Sequence, residues 1–297
     1  MKWIDTVFRL SLWAASLLFV ARFANERTDQ FTLWRIASNR PYHEEYATRP
    51  LTSEESSDLE KALAQPYTYF ASGGQAFAFF SADRNYVVKF FKQRLYNRSK
   101  LLNFVPLPKF LHRYRNMRNS KRDDKFARDF FSYKISFEEL QEETGVFYVH
   151  LNTTDHLKTQ LQITDRLGIN HLLDLDKMDF IVQKRAEKIH DRIIRLMEIG
   201  KTSEAKQAIG QVVDLITTRA SKGFRDRDPN VRTNCGFLGD RAIKIDVGRF
   251  VRCPEMQTKE RHNADLLQIT APFEEWLEEH YPELRPTLET YREGALL

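Results

Sequence analysis

Side chains that can hold a metal ion or accept a proton are concentrated in one stretch of the chain, Gly223–Phe250. Asp226 and Asp228 lie in a polar loop, Asn234 follows them, and Asp246 ends a short apolar strand. Carboxylate and amide oxygens are hard ligands of the kind that Mg²⁺ takes, and a carboxylate can also accept a proton from a hydroxyl group. Each residue taken singly is an ordinary loop or turn side chain, so the indication comes from their order.

This order resembles the catalytic segment of the protein-kinase-like superfamily, in which H-R-D-x-x-x-x-N is followed by a hairpin and D-F-G. Gly-Phe-Arg-Asp-Arg-Asp leads to Asp228, and Ile-Lys-Ile-Asp-Val-Gly carries Asp246 into Gly248. The resemblance implies ATP and Mg²⁺ as cofactors, with Asn234 and Asp246 as metal ligands. It also implies that Asp228 is the catalytic residue, which accepts a proton from the attacking hydroxyl or orients it.

Two departures from the family motif leave an alternative open. Asp226 stands where the motif has histidine, and the spacing from Asp228 to Asn234 is one residue longer than usual. Asp226 could therefore be the catalytic residue, with Asn230 as the metal ligand. Asp228 and Asn234 are favoured because the preceding glycine and the following hairpin then fall at the family positions.

The N-terminal half of the chain contains a second part of the resemblance. Lys89, in Tyr-Val-Val-Lys-Phe, resembles the third-strand lysine that binds the α- and β-phosphates of ATP. Gly73 and Gly74 lie one strand earlier and resemble a degenerate phosphate-covering loop. Each feature is weak alone, because many hairpins contain Gly-Gly and a single strand lysine is usually solvated. Their order along the chain is what matches the family.

A helix after Lys89 is expected to supply its carboxylate partner. Apolar residues recur at helical spacing from Asp123 to Thr144, and in the kinase family a helix at this place carries a glutamate that pairs with the lysine. Glu138 is the preferred partner and Glu139 the alternative, because both flank the apolar stripe.

The segment Phe180–Ala186 falls where the adenine-binding hinge of a kinase belongs. The resemblance therefore assigns Gln183 and Ala186 to the cofactor site. Backbone atoms make the hinge contacts in this family, so the side chains themselves give little indication.

Strand patterns and helix patterns are separated along the chain. Candidate strands lie at Tyr69–Ser72, Phe77–Phe80, Tyr86–Phe91, 145–152 and 179–183, and candidate helices at about 187–200 and 202–220. This separation predicts an α+β fold. The resemblance implies two lobes, the first an antiparallel sheet and the second small and helical. The domains are then a hydrophobic helix at 1–27, an N-lobe at 50–186 with a basic insert near 93–122, and a C-lobe at 187–297.

The N-terminus contains an uncharged apolar run, Leu10–Ala21, flanked by Arg9 and Arg22. Its length is short for a membrane span of about 20 residues. The alternatives are a membrane anchor, a targeting segment, and a plain helix that packs on the folded domain. A domain that needs ATP is expected in the cytoplasm, which predicts a membrane-associated protein with its kinase-like part on that side.

Charge is unevenly placed, whereas cysteine and histidine are uninformative. Cys235 and Cys253 lack metal-ligand spacing and the eight histidines form no zinc motif, which disfavours a disulfide framework or a zinc site.

Segment 89–128 contains thirteen Lys or Arg and two Asp. Its functional interpretation is a surface for anionic lipid or lipopolysaccharide, with nucleic acid less favoured. The alternative is a solvated insertion that the acidic remainder balances.

The chain is short after the last motif, with 49 residues beyond Gly248 and no A-P-E-like segment. This pattern resembles the compact lipopolysaccharide-, sugar- and antibiotic-kinase branches more than the protein kinases. The expected function is ATP- and Mg²⁺-dependent phosphotransfer to a hydroxyl of a lipid, a sugar or another acceptor. The alternatives are an inactive kinase-like binding or scaffold module, and a membrane-tethered basic adaptor.

Overall fold

The computed structural model describes residues 2–97 and 108–296. A sheet-rich part precedes a helical part, which confirms the predicted α+β class. The described helices are α1 (Lys2–Arg27), α2 (Leu33–Ile36), α3 (Ser53–Leu63), α4 (Lys109–Glu138), α5 (Gln141–Thr144), α6 (Ile189–Glu198), α7 (Thr202–Ser221), α8 (Val231–Asn234), α9 (Lys259–His280) and α10 (Arg285–Ala295). The described strands are β1 (Tyr67–Ser72), β2 (Ala76–Ser81), β3 (Tyr86–Phe91), β4 (Val146–His150), β5 (Gln160–Thr164), β6 (Asn170–Asp174), β7 (Phe180–Lys184), β8 (Glu187–Lys188), β9 (Phe224–Asp226), β10 (Cys235–Leu238), β11 (Arg241–Lys244) and β12 (Phe250–Arg252).

Seven strands form the N-lobe sheet, in the order β4-β7-β3-β2-β1-β5-β6. All neighbours are antiparallel except β1 and β5. β1 alternates in burial, and β2 does so over its first four residues, because one face of these strands covers a core that includes Phe77 and Phe79. The helix α3 packs on that core and begins with a capping box between Thr52 and Glu55.

One hairpin was missed by the sequence pattern. None of the candidate strands covers β5 or β6, which residues 165–169 connect. β5 alternates between exposed glutamines and buried aliphatic residues, Leu161 and Ile163, over only five residues. A strand this short gives too few periods to recognise, and Gly168 at φ +82° supplies the turn into the edge strand β6.

The long helix α4 differs from expectation at its start. Part of the predicted basic insert is helical, because the helix begins directly after Pro108 and continues to Glu138. Its first half is largely exposed, so no apolar period marks it in the sequence. Residues 98–107 of the predicted insert lie outside the described residues.

The second half of α4 joins the two lobes. Phe130 and Tyr133 pack with Phe91 of β3, and the Phe91 and Tyr133 rings stack 4.1 Å apart. The same core contains Val247 and Phe250 from the segment that carries Asp246. Burial of these rings fixes the position of that segment relative to the sheet.

The C-lobe is built around one core that helices α6, α7, α9 and α10 share. The hairpin of β10 and β11 pairs with β8, directly after the last long strand of the N-lobe. Asp246 leaves the end of this hairpin, and β12 returns to pair with β9 beside the Asp226 loop. The topology therefore brings the two ends of Gly223–Phe250 together.

Helix α1 is much longer than its apolar run. Thr6–Arg27 is long and apolar enough to cross a membrane by length and composition, and none of this segment is buried against the rest of the described chain. Of the alternatives for the N-terminus, a helix packed on the domain does not describe this structure.

Candidate active site

Lys89 lies near the centre of the sheet with its side chain on the face toward the C-lobe. Ala78 on β2 and Ile181 on β7 stand directly opposite it, and directly opposed residues share a face. The Lys89 ammonium donates to the carbonyl oxygen of Ile245 at 2.6 Å, immediately before Asp246. Burial lowers the pKa of Lys89 to about 8, while attraction to Asp246 raises it. A buried cation beside a carboxylate suits the binding of phosphate oxygens accompanied by a metal ion.

Gln183 holds Lys89 from the side of β7. Its Oε1 accepts the Lys89 ammonium at 2.8 Å, and its Nε2 donates to the carbonyl oxygens of Thr144 at 2.6 Å and Lys244 at 3.1 Å. The side chain is fully enclosed. This one amide therefore connects β3, the end of α5 and the strand that leads to Asp246, a side-chain role that the hinge assignment did not include.

The two aspartates of the polar loop have different environments. Asp226 is buried, and its carboxylate accepts the backbone N–H of Asp228 at 2.8 Å and pairs with the buried ammonium of Lys244. Lys244 also donates to the carbonyl oxygen of Asp228. The Asp228 side chain is exposed, and its carboxylate has no ion pair with any described residue. Asp226 is engaged in holding the loop, whereas the Asp228 carboxylate is free to meet a substrate.

Asn234 stands between Asp228 and the Asp246 strand. Its Nδ2 donates to the carbonyl oxygen of Asp228 at 3.1 Å, and its own carbonyl oxygen accepts the N–H of Ile245 at 2.6 Å. Asn230, the alternative metal ligand, instead caps α8, because its Oδ1 accepts the N–H of Thr233 at 3.1 Å.

The side-chain oxygens of Asp246 and Asn234 are of the kind that suits a magnesium ion. Asp246 is exposed, and its closest described polar partner is the N–H of Gly248 at 3.4 Å. Because the Asn234 nitrogen is engaged with backbone, its Oδ1 is the atom left for a ligand; the Thr233 hydroxyl donates to it at 2.9 Å. In residues 2–97 and 108–296, no cluster of three His, Cys, Asp or Glu side chains is placed to hold a metal ion. Phosphate oxygens and water would have to complete the coordination shell.

Gly73 and Gly74 form the turn between β1 and β2. The N–H of Gly73 donates to the carbonyl oxygen of Ala76 at 2.9 Å, which closes the turn. The Lys92 ammonium donates to the Ser72 hydroxyl at 2.8 Å and to the carbonyl oxygen of Gly73. The turn is therefore fixed by a residue that directly follows β3, the strand next to β2 in the sheet.

Gln75 extends from this turn across the cleft to Gly248. Its Nε2 donates to Asp129 at 3.0 Å and to the carbonyl oxygen of Gly248 at 3.4 Å, and its Oε1 accepts the Tyr133 hydroxyl at 2.8 Å. A Cβ atom at position 248 would lie 1.8 Å from the Gln75 oxygen. Any larger residue at position 248 would therefore force the Gln75 side chain to move.

The predicted pairing of Glu138 with Lys89 is not formed in this structure. The Glu138 carboxylate accepts the backbone N–H of Arg49 at 3.0 Å, and Glu139 pairs with Arg252. The physical reason is the rotation of α4 about its own axis, which turns the face that contains Ser132 toward the Asp246 segment. The Ser132 hydroxyl donates to the backbone carbonyl oxygen of Val247.

Asp129 is the carboxylate on that face, and sequence analysis missed it. It is fully buried, and it contacts Gln75, the Tyr96 hydroxyl at 3.3 Å and the Lys125 ammonium. Its position inside the apolar stripe, directly before Phe130, was the available signal. An acid within the buried face of a helix must have partners there, whereas one at its flank can be solvated.

An aromatic pair lies on the cleft face of the sheet beside the hinge. Phe80 is opposite Val87, which is opposite Gln183, so all three share the face that carries Lys89. The Phe70 ring lies 4.1 Å from the Phe80 ring and is 54% exposed. The Arg185 guanidinium lies 4.9 Å from the Phe80 ring centre. An exposed aromatic surface of this kind can stack on a nucleobase.

Gly236 allows the hinge to approach the C-lobe hairpin closely. A Cβ atom there would lie 2.6 Å from the carbonyl oxygen of Glu187, 2.8 Å from the Ile245 side chain and 3.0 Å from the Cβ of Ala186. Ala186, assigned to the cofactor site with Gln183, is therefore at the junction of hinge, hairpin and Asp246 strand.

No family model matches the chain, and no curated protein sequence matches it. Solved structures do match. The bifunctional kinase-methyltransferase WbdD is 13% identical with a TM-score of 0.36, covering 76% of this chain and 44% of its own. Rv3197 of Mycobacterium tuberculosis with erythromycin is 13% identical with a TM-score of 0.34, covering 96% and 75%. The streptomycin–ATP–APH(2″)-IIa complex is 14% identical with a TM-score of 0.31, covering 84% and 96%.

The chain spans less than half the length of the WbdD structure. The fold is nevertheless protein-kinase-like by its own geometry. It has a lysine on the third strand, a long helix behind it, a hinge strand, and an Asn–hairpin–Asp segment beneath the lysine.

Proposed function

We propose that this protein is an ATP- and Mg²⁺-dependent phosphotransferase that acts on a hydroxyl group of a lipid, a sugar or another acceptor. The observation that carries the proposal is the bond from the Lys89 ammonium to the carbonyl oxygen of Ile245, which holds the cation beside Asp246. Phosphoryl transfer depends on positioning and on neutralising the phosphate oxygens. A buried lysine adjoining an exposed carboxylate supports that requirement.

Each residue has a role in this proposal. Lys89 contacts the α- and β-phosphates, and Asp246 with the Asn234 amide oxygen holds magnesium, whose charge neutralises the phosphate oxygens. The exposed carboxylate of Asp228 orients the acceptor hydroxyl and takes its proton. The turn at Gly73 covers the phosphates.

The nucleobase lies on the aromatic pair in this proposal. Phe70 and Phe80 supply the stacking surface, and the backbone of the hinge from Gln183 to Ala186 supplies hydrogen bonds. The neutral aromatic face and the adjacent exposed Arg185 suit a planar heterocycle.

An inactive binding or scaffold module is the second candidate, and two observations favour it. Glu138 contacts Arg49 and not Lys89, and the Gln75 side chain occupies the space directly over Gly248. In this alternative nucleotide binds without turnover. A single-turnover assay with γ-labelled ATP separates the two candidates.

Membrane association completes the proposal. The exposed apolar helix α1 anchors the protein, and the kinase-like domain faces the cytoplasm, where ATP is found. Exposed lysines and arginines along the first half of α4 provide the predicted surface for anionic lipid or lipopolysaccharide.

The first experiment measures thermal unfolding of the full chain in detergent, with ATP and with or without Mg²⁺. A ligand at about 100 times its Kd adds about 2.7 kcal/mol to the free energy of unfolding. We expect a Mg²⁺-dependent increase in Tm that Lys89→Ala and Asp246→Asn both remove. Arg261→Ala, an exposed C-lobe change, is the matched control and should keep the shift. A folded wild-type protein with no shift would contradict the proposal.

A further inference from the structure

The short helix α2, which follows the apolar helix, exposes two large apolar side chains. Leu33 is 40% exposed and Trp34 is 67% exposed. The helix is nevertheless firmly attached, because Ile36 is fully buried in the N-lobe core and Ala37 pairs with Met178. The exposure is therefore a feature of a fixed surface.

Two arginines lie beside this apolar pair. The Arg35 guanidinium lies 5.3 Å from the Trp34 ring, and Arg94 is exposed in the short 3-10 helix Gln93–Leu95, which contacts α2. Burial first and then Arg94 lower the pKa of Arg35. Lys92 shows the same effect: burial first and then Arg94 lower its pKa. Neighbouring positive charges repel one another, and an anionic partner relieves that repulsion.

The same region receives the end of α1. Asp29, two residues after the helix, accepts the Tyr69 hydroxyl at 2.6 Å and pairs with Arg166. Phe31 then enters the sheet core, with its ring 5.3 Å from Phe77 and 5.5 Å from Phe79. The connection between the apolar helix and the sheet is therefore held at Asp29 and Phe31.

The glycine turn lies beside this connection. A groove separates the last turns of α1 from Ser72, with Arg22, Asn25 and Asp29 on the helix side. Lys92 binds both Ser72 and the carbonyl oxygen of Gly73. The end of the apolar helix, the cationic group and the phosphate-covering turn thus occupy one side of the N-lobe.

We propose that Leu33, Trp34, Arg35 and Arg94 form a membrane seat that rests on anionic phospholipid headgroups beside the end of α1. Tryptophan with flanking arginines is the composition that the membrane–water interface favours. Each cation near an anionic leaflet adds attraction. The seat is separate from the basic half of α4, and it turns the glycine-turn side of the cleft toward the bilayer. The acceptor, which rests on the proposed function, is then a headgroup hydroxyl of a membrane-resident molecule.

The test places the full chain in vesicles of phosphatidylcholine, alone or mixed with phosphatidylglycerol. Phenylalanine replaces Trp3, Trp13 and Trp276, so that Trp34 is the single tryptophan and its emission can be observed selectively. We expect blue-shifted emission and strong quenching by brominated lipids in the anionic vesicles. Raised salt should weaken the quenching, because it screens headgroup attraction.

The charge test combines Arg35→Glu with Arg94→Glu. Loss of two headgroup contacts should by itself lower the equilibrium constant for docking about thirtyfold, and repulsion of the two added carboxylates should lower it further. The matched control reverses two exposed cations of the C-lobe, Lys259→Glu with Arg261→Glu, and should leave the quenching unchanged. A second control keeps the buried Trp276 as the single tryptophan, which should not be quenched.

Absence of Trp34 quenching in a vesicle-anchored, folded protein would overturn the seat. Concentration-dependent association of two copies through Trp34, measured in neutral vesicles, would also overturn it. ATP binding measured on the same samples distinguishes the two proposals, because loss of the nucleotide site in Asp246→Asn should leave the quenching intact.

Discussion

The Lys89 ammonium and the Gln183 side-chain oxygen lie 2.8 Å apart, and this bond replaces the helix carboxylate that was expected to hold the lysine. Gln183 also donates to the backbone carbonyl oxygens of Thr144, just before β4, and of Lys244, at the end of β11. A neutral amide at this place leaves Lys89 without a carboxylate partner on the helix, while burial lowers the pKa of Lys89 to about 8 and attraction to Asp246 raises it.

The substitution Gln183→Leu tests the structural part of this relationship. It removes one acceptor and two donated bonds from a dry site, and unsatisfied buried groups cost about 1–3 kcal/mol each. We expect a loss of about 2–4 kcal/mol in the free energy of unfolding, measured by urea denaturation. Gln162→Leu, on the exposed face of β5, is the control and should change it by less than about 0.5 kcal/mol. Equal effects of the two changes would contradict the bridging role.

Nucleotide affinity should depend on pH through Lys89. The charged ammonium is the form that attracts phosphate, and its pKa is about 8, so affinity should fall as the pH rises through that value. Gln183→Glu places a carboxylate against the ammonium and should move the midpoint up by about 1–3 pH units. Calorimetric titration with ATP at several pH values measures the affinity of the wild type and of Gln183→Glu, and therefore the midpoint of each. Lys89→Met should bind weakly at every pH, and a midpoint that persists in it would assign the titration elsewhere.

The same lysine affects stability with the opposite sign. Its pKa is about 8 in the folded protein and 10.5 in its ordinary state, so the unfolded chain binds more protons between those values. The contribution of Lys89 to the free energy of unfolding therefore rises as the pH increases from about 8 to about 10.5. In urea denaturation at several pH values, the free energy of unfolding of the wild type should rise relative to that of Lys89→Met as the pH increases. A constant difference would show that burial does not depress this pKa.

The aspartates of the polar loop should separate into a structural and a chemical residue. Asp226→Asn leaves the buried Lys244 ammonium without its counter-charge, which costs about 3–5 kcal/mol of folding free energy. Asp228→Asn alters an exposed side chain and should change stability by less than about 0.5 kcal/mol while reducing phosphotransfer at least about a hundredfold. Urea denaturation and a phosphotransfer assay measure the two effects. If Asp226→Asn were stable but inactive, Asp226 and not Asp228 would be the chemical residue.

The contact between Gln75 and Gly248 predicts a compensating pair of substitutions. Gly248→Ala places a methyl group on the Gln75 oxygen and should destabilise the protein by about 1–3 kcal/mol. Gln75→Ala vacates that space, so the double variant should recover part of the loss. A double-mutant cycle in urea detects the coupling. Gly294→Ala, where a Cβ atom meets nothing within 4 Å, is the control.

Much of the fold followed from the sequence, for a physical reason that particular residues illustrate. The aromatic runs around Gly73 and Lys89 predicted the first three strands because aromatic and β-branched residues favour strands. The Thr52–Glu55 capping box likewise marks the start of α3 locally, since its bonds are made within four residues. Local rules such as these act before any tertiary contact is formed.

The sequence also determined the order and the types of the candidate site residues, from Lys89 through Asn234 to Asp246. Only the tertiary structure decided their partners. The rotation of α4 put Asp129 in the cleft and Glu138 beside Arg49, and long-range packing around Val247 set that rotation. Burial separated Asp226 from Asp228, which are two residues apart and chemically identical. Partners distant in sequence are chosen by packing and burial, and the periodicity of a single chain does not encode which of two neighbouring carboxylates meets the buried charge.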